Sequence, residues 1–205
     1  MTQAPPEAVP TGNTFDKYGS TNPVVKRLMD NFHSALDELW VEANPESVLD
    51  VGCGEGVLTH EWAERLGEKR IVGIDLDDPK LRAEWQKRQR PNLEYRAEEA
   101  TSLTFADGEF DMATAIEVLE HVPDPDATLA EMARVARRWL LVSVPREPLW
   151  RMLNMARGAY LKDLGNTPGH VNHWSLRSFV EMLARHGEVA AVRSPFPWTM
   201  VLVRL

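Results

Sequence analysis

The sequence predicts a three-layer α/β fold, in which helices cover both faces of a mostly parallel sheet. Short apolar runs alternate with helical stretches along the 205 residues, which is the pattern of repeated βαβ units. The runs at residues 71–74 and 140–144 are almost continuously apolar, as expected of strands that are buried on both faces. An earlier apolar run, at residues 47–56, ends in glycines where the next helix begins, a position at which doubly wound folds bind ligands.

The predicted elements follow one another in regular order. Residues 23–40 carry apolar side chains at three- and four-residue steps, which indicates a helix with Asn22 as N-cap and Pro23 at its first position. After the strand that ends in glycines, the pattern predicts helices at 57–67, 79–88 and 127–137 and strands at 70–77, 92–97, 110–118 and 138–145. A helix at 176–187, closed by Gly187, and strands at 188–194 and 198–205 complete the chain.

Composition and charge restrict the partners. Residues 1–145 carry a net charge of −12 and residues 146–205 one of +4, and an acidic body argues against a nucleic-acid partner. No apolar run approaches the ~18 residues of a membrane span. The single cysteine favours a location in the cytoplasm.

We expect residues 1–14, which are polar and Pro-rich, to form a mobile tail and residues 15–205 to form a single domain. The sequence does not indicate the oligomeric state.

The glycine-rich turn is the first candidate site. Gly52, Gly54 and Gly56 would let the backbone approach a ligand closely, and Asp50 at the strand end could meet a cationic amino group. Asp75 ends the next strand, where a carboxylate can accept two hydrogen bonds from a ribose diol. Dinucleotide-binding oxidoreductases share such a turn, although their spacing is G-x-G-x-x-G whereas the spacing here is G-x-G-x-G.

Four motifs in order resemble those of the class I S-adenosylmethionine-dependent methyltransferases, especially the small-molecule enzymes of ubiquinone and menaquinone pathways. The motifs are VLDVGCGEG (48–56), GIDLD (73–77), EATSLTFADGEFD (99–111) and EVLEHVPDP (117–125). The resemblance implies a Rossmann-like, doubly wound sheet of seven strands in the order 3-2-1-4-5-7-6, with a C-terminal antiparallel strand, and S-adenosylmethionine as cofactor. It also implies transfer of a methyl group to a small-molecule acceptor, with a hydroxyl oxygen favoured and S-adenosylhomocysteine as by-product.

The same resemblance assigns the cofactor contacts. The glycine turn would lie along the methionine portion, Asp75 would bind the ribose, and Leu76 would pack on the adenine. Glu99 stands where the family usually has an Asp that accepts from the adenine amino group, and Ala100 could donate its backbone N–H to the ring. The complete predicted cofactor site is Asp50, Gly52, Gly54, Gly56, Asp75, Leu76, Glu99, Ala100, Ile116 and Glu117.

The catalytic prediction centres on His121, because a hydroxyl acceptor must lose its proton and histidine is the usual base near neutral pH. Glu120 could orient its ring. A role as a cap of the following turn is the alternative. The E-x-x-E-H spacing also resembles metal-assisted methyltransferases, so Glu117, Glu120 and His121 with His170 or His173 could bind a divalent metal, to which we do not commit.

Residues 146–174 should cover the substrate, because the segment after the fifth strand passes over the ligand-binding edge of such a sheet. Its aromatic and thioether side chains suit an apolar or aromatic acceptor and its arginines an anionic group. The predicted substrate contacts are Arg146, Trp150, Tyr160, His170 and His173. Two other functions stay open, namely a nucleotide-binding oxidoreductase of Rossmann type and a non-catalytic S-adenosylmethionine-binding module.

Overall fold

The computed structural model describes residues 22–205, whose strands form one seven-stranded sheet. The strands are β1 (Val48–Val51), β2 (Ile71–Asp75), β3 (Leu93–Ala97), β4 (Phe110–Ile116), β5 (Ala136–Pro145), β6 (Glu188–Arg193) and β7 (Trp198–Arg204). Their order in the sheet is β3-β2-β1-β4-β5-β7-β6. Strands β1 to β5 pair in parallel, and β7 pairs antiparallel with both β5 and β6. The predicted fold and strand order are thereby confirmed; the tail expected at residues 1–14 lies outside the described residues.

Helices flank the sheet on both sides, and in the described residues they are α1 (Pro23–Ala43), α2 (Val57–Leu66), α3 (Pro79–Gln86), α4 (Pro125–Val135), α5 (Leu149–Ala156) and α6 (Leu176–Leu183). The predicted cap of α1 is confirmed, since Asn22 Oδ1 accepts from the backbone N–H of Val24 at 2.9 Å. Helix α4 begins two residues earlier than predicted. Pro125 occupies its first turn, and the carboxylate of Asp124 accepts from the N–H of Ala127, so that the helix begins directly after Asp124.

Two hydrophobic cores lie on opposite faces of the sheet. Successive residues of a strand point to opposite faces, and accordingly Leu49 and Leu140 belong to one core whereas Val48 and Leu141 belong to the other. Helices α4 and α6 cover the first core, and α1 and α2 cover the second. All four of these strand residues are fully buried. This three-layer packing fixes the carboxyl ends of the parallel strands at a common edge.

The loops at that edge position the site. The fourth strand was predicted to continue to residue 118, but β4 ends at Ile116 because Glu117 adopts a left-handed backbone conformation with φ of 61°. The chain therefore turns over the sheet edge two residues early. None of the described helices is long and apolar enough to cross a membrane.

Candidate active site

A cavity of about 1060 Å³ lies at the carboxyl edge of β1, β2 and β4. Its walls come from the glycine turn after β1, the loop after β4, helices α1 and α5, and the segment around His170. Most of the predicted site residues line it together: Asp50, Gly52, Gly54, Asp75, Leu76, Glu99, Ala100, Ile116, Glu117, Glu120, His121, Trp150, Tyr160 and His170. The remaining three, Gly56, Arg146 and His173, do not line it.

Backbone geometry explains the glycines of the turn. Gly52 and Gly54 have φ of 71° and 55°, the left-handed region that favours glycine. A Cβ on Gly52 would collide with the side chain of Val118, whereas a Cβ on Gly54 would meet no atom within 4 Å, because Gly54 borders open space in the cavity. A Cβ on Gly56 would instead collide with the Tyr95 ring, so that this glycine permits packing beneath the turn.

Asp50 is a buried carboxylate at the base of the cavity, with 4% of its surface exposed. Its two oxygens accept from the hydroxyls of Thr59 at 2.6 Å and Thr114 at 2.7 Å. Burial raises the pKa of Asp50 to about 6, against the smaller lowering by the two hydroxyl groups, and the negative charge of Asp75 raises it further. A cation bound beside Asp50 would relieve this unfavourable burial of negative charge.

Asp75 connects the second strand to the glycine turn. Its Oδ2 accepts from the N–H of Gly54 at 2.7 Å and its Oδ1 from the N–H of Leu76 at 2.8 Å. Burial raises the pKa of Asp75, while these two backbone bonds lower it. A carboxylate oxygen can accept more than one hydrogen bond, so both oxygens retain capacity for a ribose diol. Together with the open space at Gly54, this arrangement fits a nucleoside that carries an amino-acid portion.

The predicted adenine contacts Leu76, Glu99 and Ala100 also line the cavity. The neighbouring Glu98 is used within the fold, because its carboxylate accepts from the hydroxyl and the N–H of Thr104. Glu99 is exposed. Of the two adjacent acids, Glu99 is thus the one whose carboxylate is better placed to accept from a ligand.

At the end of β4, Glu117 bridges two strands. Its Oε1 accepts from the hydroxyl of Ser143 in β5 at 2.9 Å, and its N–H donates to the Ser143 carbonyl at 3.1 Å. These bonds hold the left-handed backbone of Glu117 and direct the following loop across the cavity.

His121 and His170 lie edge to face, with ring centroids 4.8 Å apart. His121 Nδ1 is 3.0 Å from the carbonyl oxygen of Gly169. A carbonyl can only accept, so Nδ1 must carry the proton, and in the neutral ring Nε2 presents a lone pair. Glu120 is 98% buried and forms a compact group with both histidines, in which one potential ligand atom from each residue lies within 4.8 Å of the others.

The positions of these three residues reduce the set of predicted ligands that could bind one divalent metal ion. A carboxylate and two imidazoles can hold a divalent ion, and the structure groups Glu120 and His121 with His170. His173 is exposed and its Nε2 is 2.7 Å from Asn166 Oδ1, and Glu117 is not part of the group.

Aromatic side chains form one wall of the cavity. The ring of Trp150 stacks with His170 at 6.2 Å and lies 5.8 Å from that of Trp198, which in turn contacts Phe32 of α1 edge to face at 4.9 Å. Trp198 and Phe32 are both buried in the second core and also line the cavity. Neither was predicted as a site residue from the sequence, because periodicity does not distinguish a core face from a face that also borders a cavity. Arg146 lies outside this wall, and its backbone is paired with residues 174 and 197.

A hydrogen-bond network that the sequence did not indicate connects α5 to the segment that follows it. Asn154, which is 98% buried, donates to the Gly165 carbonyl at 2.8 Å and to the Thr167 hydroxyl at 3.1 Å. The indole N–H of Trp150 donates to the same hydroxyl at 2.9 Å. These bonds attach Gly165 and Thr167 to α5, and Thr167 and His170 of this segment line the cavity.

The chain is similar in sequence to known methyltransferases. A family model described as "Methyltransferase domain" matches residues 49–139. The ubiquinone biosynthesis O-methyltransferase of Albidiferax ferrireducens is 36% identical over 126 residues, which cover 58% of this chain and 49% of that protein. The enzyme of the same name from Hahella chejuensis is 40% identical over 93 residues, covering 44% and 38%. The chain thus spans about half the length, or less, of these curated relatives.

Solved structures show the same fold at low identity. A SAM-dependent methyltransferase from Aquifex aeolicus has a TM-score of 0.67 and 20% identity, and covers 89% of this chain and 93% of its own. The magnesium protoporphyrin IX methyltransferase of Synechocystis PCC 6803, solved with bound SAH, has a TM-score of 0.67 and 19% identity, covering 91% and 89%. The [4+2]-cyclase SpnF also matches, with a TM-score of 0.64 and 18% identity, covering 96% and 88%.

Proposed function

The chain belongs to the class I S-adenosylmethionine-dependent methyltransferases, and we propose that it methylates a hydroxyl oxygen of a small apolar or aromatic acceptor. The observation that carries this proposal is the orientation of His121, whose Nδ1 proton is held by the Gly169 carbonyl so that Nε2 is the basic atom. The curated relatives named as O-methyltransferases support the same acceptor atom.

The cofactor residues supply binding and orientation. S-Adenosylmethionine, when bound, provides a methyl group on a sulfonium, which is already electrophilic. The chain must therefore align an acceptor with it and exclude water. Asp50 would meet the ammonium of the methionine portion and Asp75 the ribose, while Glu99 would accept from the adenine amino group. The raised pKa values of both aspartates support a cationic ligand at this end.

Proton removal is assigned to His121. Its Nε2 would accept the proton of the acceptor hydroxyl, and the Gly169 carbonyl would stabilise the imidazolium through Nδ1–H. Glu120 and His170 lie beside it as positioning residues, and the same group could bind a divalent ion that lowers the pKa of the acceptor hydroxyl.

The acceptor would lie against Trp150, Tyr160 and His170, in the part of the cavity bordered by aromatic rings. We accordingly assign residues 146–174 as the segment that covers the substrate. We also propose that residues 15–205 form a single domain and that the protein acts in the cytoplasm. Offset aromatic contacts favour a planar ring over a flexible polar acceptor.

Two competing functions make different predictions. The fold alone is compatible with other chemistry, since the neighbouring structure of SpnF is that of a cyclase. A non-catalytic module would bind S-adenosylhomocysteine but transfer no methyl group, and an oxidoreductase would bind NAD instead. Calorimetry with both ligands distinguishes the oxidoreductase from the other two, and a methyl-transfer assay distinguishes the non-catalytic module from the enzyme.

The decisive experiment offers tritium-labelled S-adenosylmethionine to matched phenol, aniline and thiophenol acceptors. We expect label in the aryl methyl ether. A protein that labels only nitrogen or sulfur, or that labels none of the three while binding S-adenosylhomocysteine, would refute O-methylation.

A further inference from the structure

The hydroxyl of Thr167 has an unusual set of partners. It lines the cavity, 9% of the residue is exposed, and its oxygen accepts two hydrogen bonds, from Trp150 Nε1 at 2.9 Å and from Asn154 Nδ2 at 3.1 Å. A hydroxyl oxygen has two lone pairs, and both are thereby occupied. The hydroxyl can act further only as a donor.

No group in the described part of the chain accepts the proton of this hydroxyl. A buried donor that lacks an acceptor is costly, because it forgoes the hydrogen bond it would make in water. The two donors are themselves fixed: the indole N–H can only donate, and the other hydrogen of the Asn154 amide goes to the Gly165 carbonyl. The direction of the Thr167 hydroxyl is therefore determined by the protein.

The position of Thr167 connects this donor to the reaction. Its carbonyl accepts from the N–H of His170, and the Gly169 carbonyl accepts from His121. The short turn 167–170 thus carries the donor at one end and orients the base at the other. Because Thr167 and His121 line the same cavity, an acceptor held with one hydroxyl at His121 can bring a second substituent to Thr167.

We propose that Thr167 is a specificity-determining residue, whose hydroxyl donates a hydrogen bond to a second oxygen of the acceptor, distinct from the hydroxyl that is methylated. The ligand class is an aromatic hydroxyl compound with a further ether, carbonyl or hydroxyl oxygen on the ring. This inference rests on the proposed function and adds to it the number of oxygens that the site recognises.

The test compares methoxyphenols with ethylphenols, which replace the ether oxygen by a methylene of similar size. The 2-, 3- and 4-substituted pairs are used, because the position of the second oxygen is not assumed. The measured quantity is the ratio of kcat/KM for the methoxy and the ethyl compound. In the wild type at least one pair should favour the methoxy compound, and Thr167→Val should lower that ratio by about 3- to 10-fold, the value of one neutral hydrogen bond.

Two further variants separate recognition from mere anchoring of the turn. Thr167→Ser keeps the hydroxyl and should retain the ratio. Trp150→Phe removes one of the bonds to Thr167 but leaves its proton, so KM should rise for both members of a pair while their ratio stays. An unchanged ratio in Thr167→Val, or an equal loss in Trp150→Phe, would overturn the proposal.

The outcome is distinguishable from failure of the proposed function. If no phenol is methylated, O-methylation of phenols is refuted, and the affinities of the same pairs in the presence of S-adenosylhomocysteine still report the hydrogen bond. A methoxy preference in affinity that disappears in Thr167→Val would support the donor role without turnover. Absence of that preference in all pairs, or of any binding, would overturn it.

Discussion

The affinity of the site for S-adenosylhomocysteine should depend on pH through Asp50. Burial raises the pKa of this carboxyl from 3.8 to about 6 in the unliganded protein. S-Adenosylhomocysteine carries the same ammonium as the methyl donor but cannot react. If that ammonium binds next to Asp50, only the ionised carboxylate binds it well, so binding and proton release are linked.

The magnitude follows from the shifted pKa. At pH 7 about nine-tenths of Asp50 is ionised, and at pH 5 about one-tenth, given a pKa of about 6. The dissociation constant should therefore rise about tenfold from pH 7 to pH 5 and change little above pH 7.

The free energy of unfolding of the unliganded protein should fall as the pH rises, whereas the affinity for S-adenosylhomocysteine should increase. The folded-state pKa of Asp50 lies above its unfolded value of 3.8, so the folded protein retains a proton that the unfolded chain releases between those values. The contribution of Asp50 to the free energy of unfolding is complete below about pH 4. It is lost as the pH rises to about 6, by up to about 3 kcal/mol for a shift of about two units.

Calorimetric titration across pH 5–8 measures the affinity, and thermal unfolding across pH 4–7 measures the change in unfolding free energy. Asp50→Asn should abolish most of the pH dependence of affinity and should not lose unfolding free energy between pH 4 and 6. Asp75→Asn is the matched control, which should weaken binding but retain the slope due to Asp50. An affinity that is flat from pH 5 to 7, or a slope that persists in Asp50→Asn, would refute the assignment of the ammonium to Asp50.

Three further substitutions test the rest of the site. Asp75→Ala should weaken S-adenosylhomocysteine binding more than tenfold, because charge-assisted hydrogen bonds contribute roughly 1.5–3 kcal/mol each. The N–H of Gly54 also loses its acceptor in this variant. Unchanged affinity in calorimetry would show that Asp75 does not contact the cofactor. Gly54→Val should abolish binding and lower the unfolding free energy by about 1–2 kcal/mol, since φ of 55° is strained for valine; normal affinity would contradict the position of the turn. His121→Ala should lower turnover by about 10²–10⁴ at unchanged S-adenosylhomocysteine affinity and remove the lower limb of the pH–rate profile. Loss of wild-type activity on chelation, with equal damage from Glu120→Ala, would instead indicate a metal, and normal turnover would indicate only a structural cap.

The fold was predictable because each element repeats a simple period. Alternating buried strands and amphipathic helices determine the layers, and the glycine turn marks the edge at which ligands bind. The exact ends of elements were less predictable. Glu117 leaves β4 because of bonds to Ser143, a residue 26 positions away, and Asp124 moves the start of α4 through a local cap.

The part of the cavity proposed to bind the cofactor was more predictable than the part proposed to bind the acceptor, for a physical reason. Asp50 and Asp75 lie at strand ends whose position follows from the sheet, so spacing along the chain is enough to bring them together. Thr167 and Asn154 meet only because a buried amide and an indole converge on one hydroxyl. No periodic pattern encodes such a convergence. Arg146 and His173 were predicted to contact the substrate but do not line the cavity, and the composition of residues 146–174 could not reveal this.

The turn 167–170 joins two tasks that a sequence treats as separate. Thr167 lines the cavity, where its hydroxyl is proposed to bind the acceptor, and the carbonyl of Gly169 determines which nitrogen of His121 carries the proton. Displacement of the turn would therefore weaken acceptor binding and change the tautomer of the base at the same time. Substitutions that move the turn should not have additive effects on kcat/KM, because residues that share one network act as a unit. If residues 146–174 cover the substrate and His121 is the base, as proposed, the covering segment also controls proton removal, because its Gly169 carbonyl holds the imidazole in the tautomer that can accept a proton at Nε2.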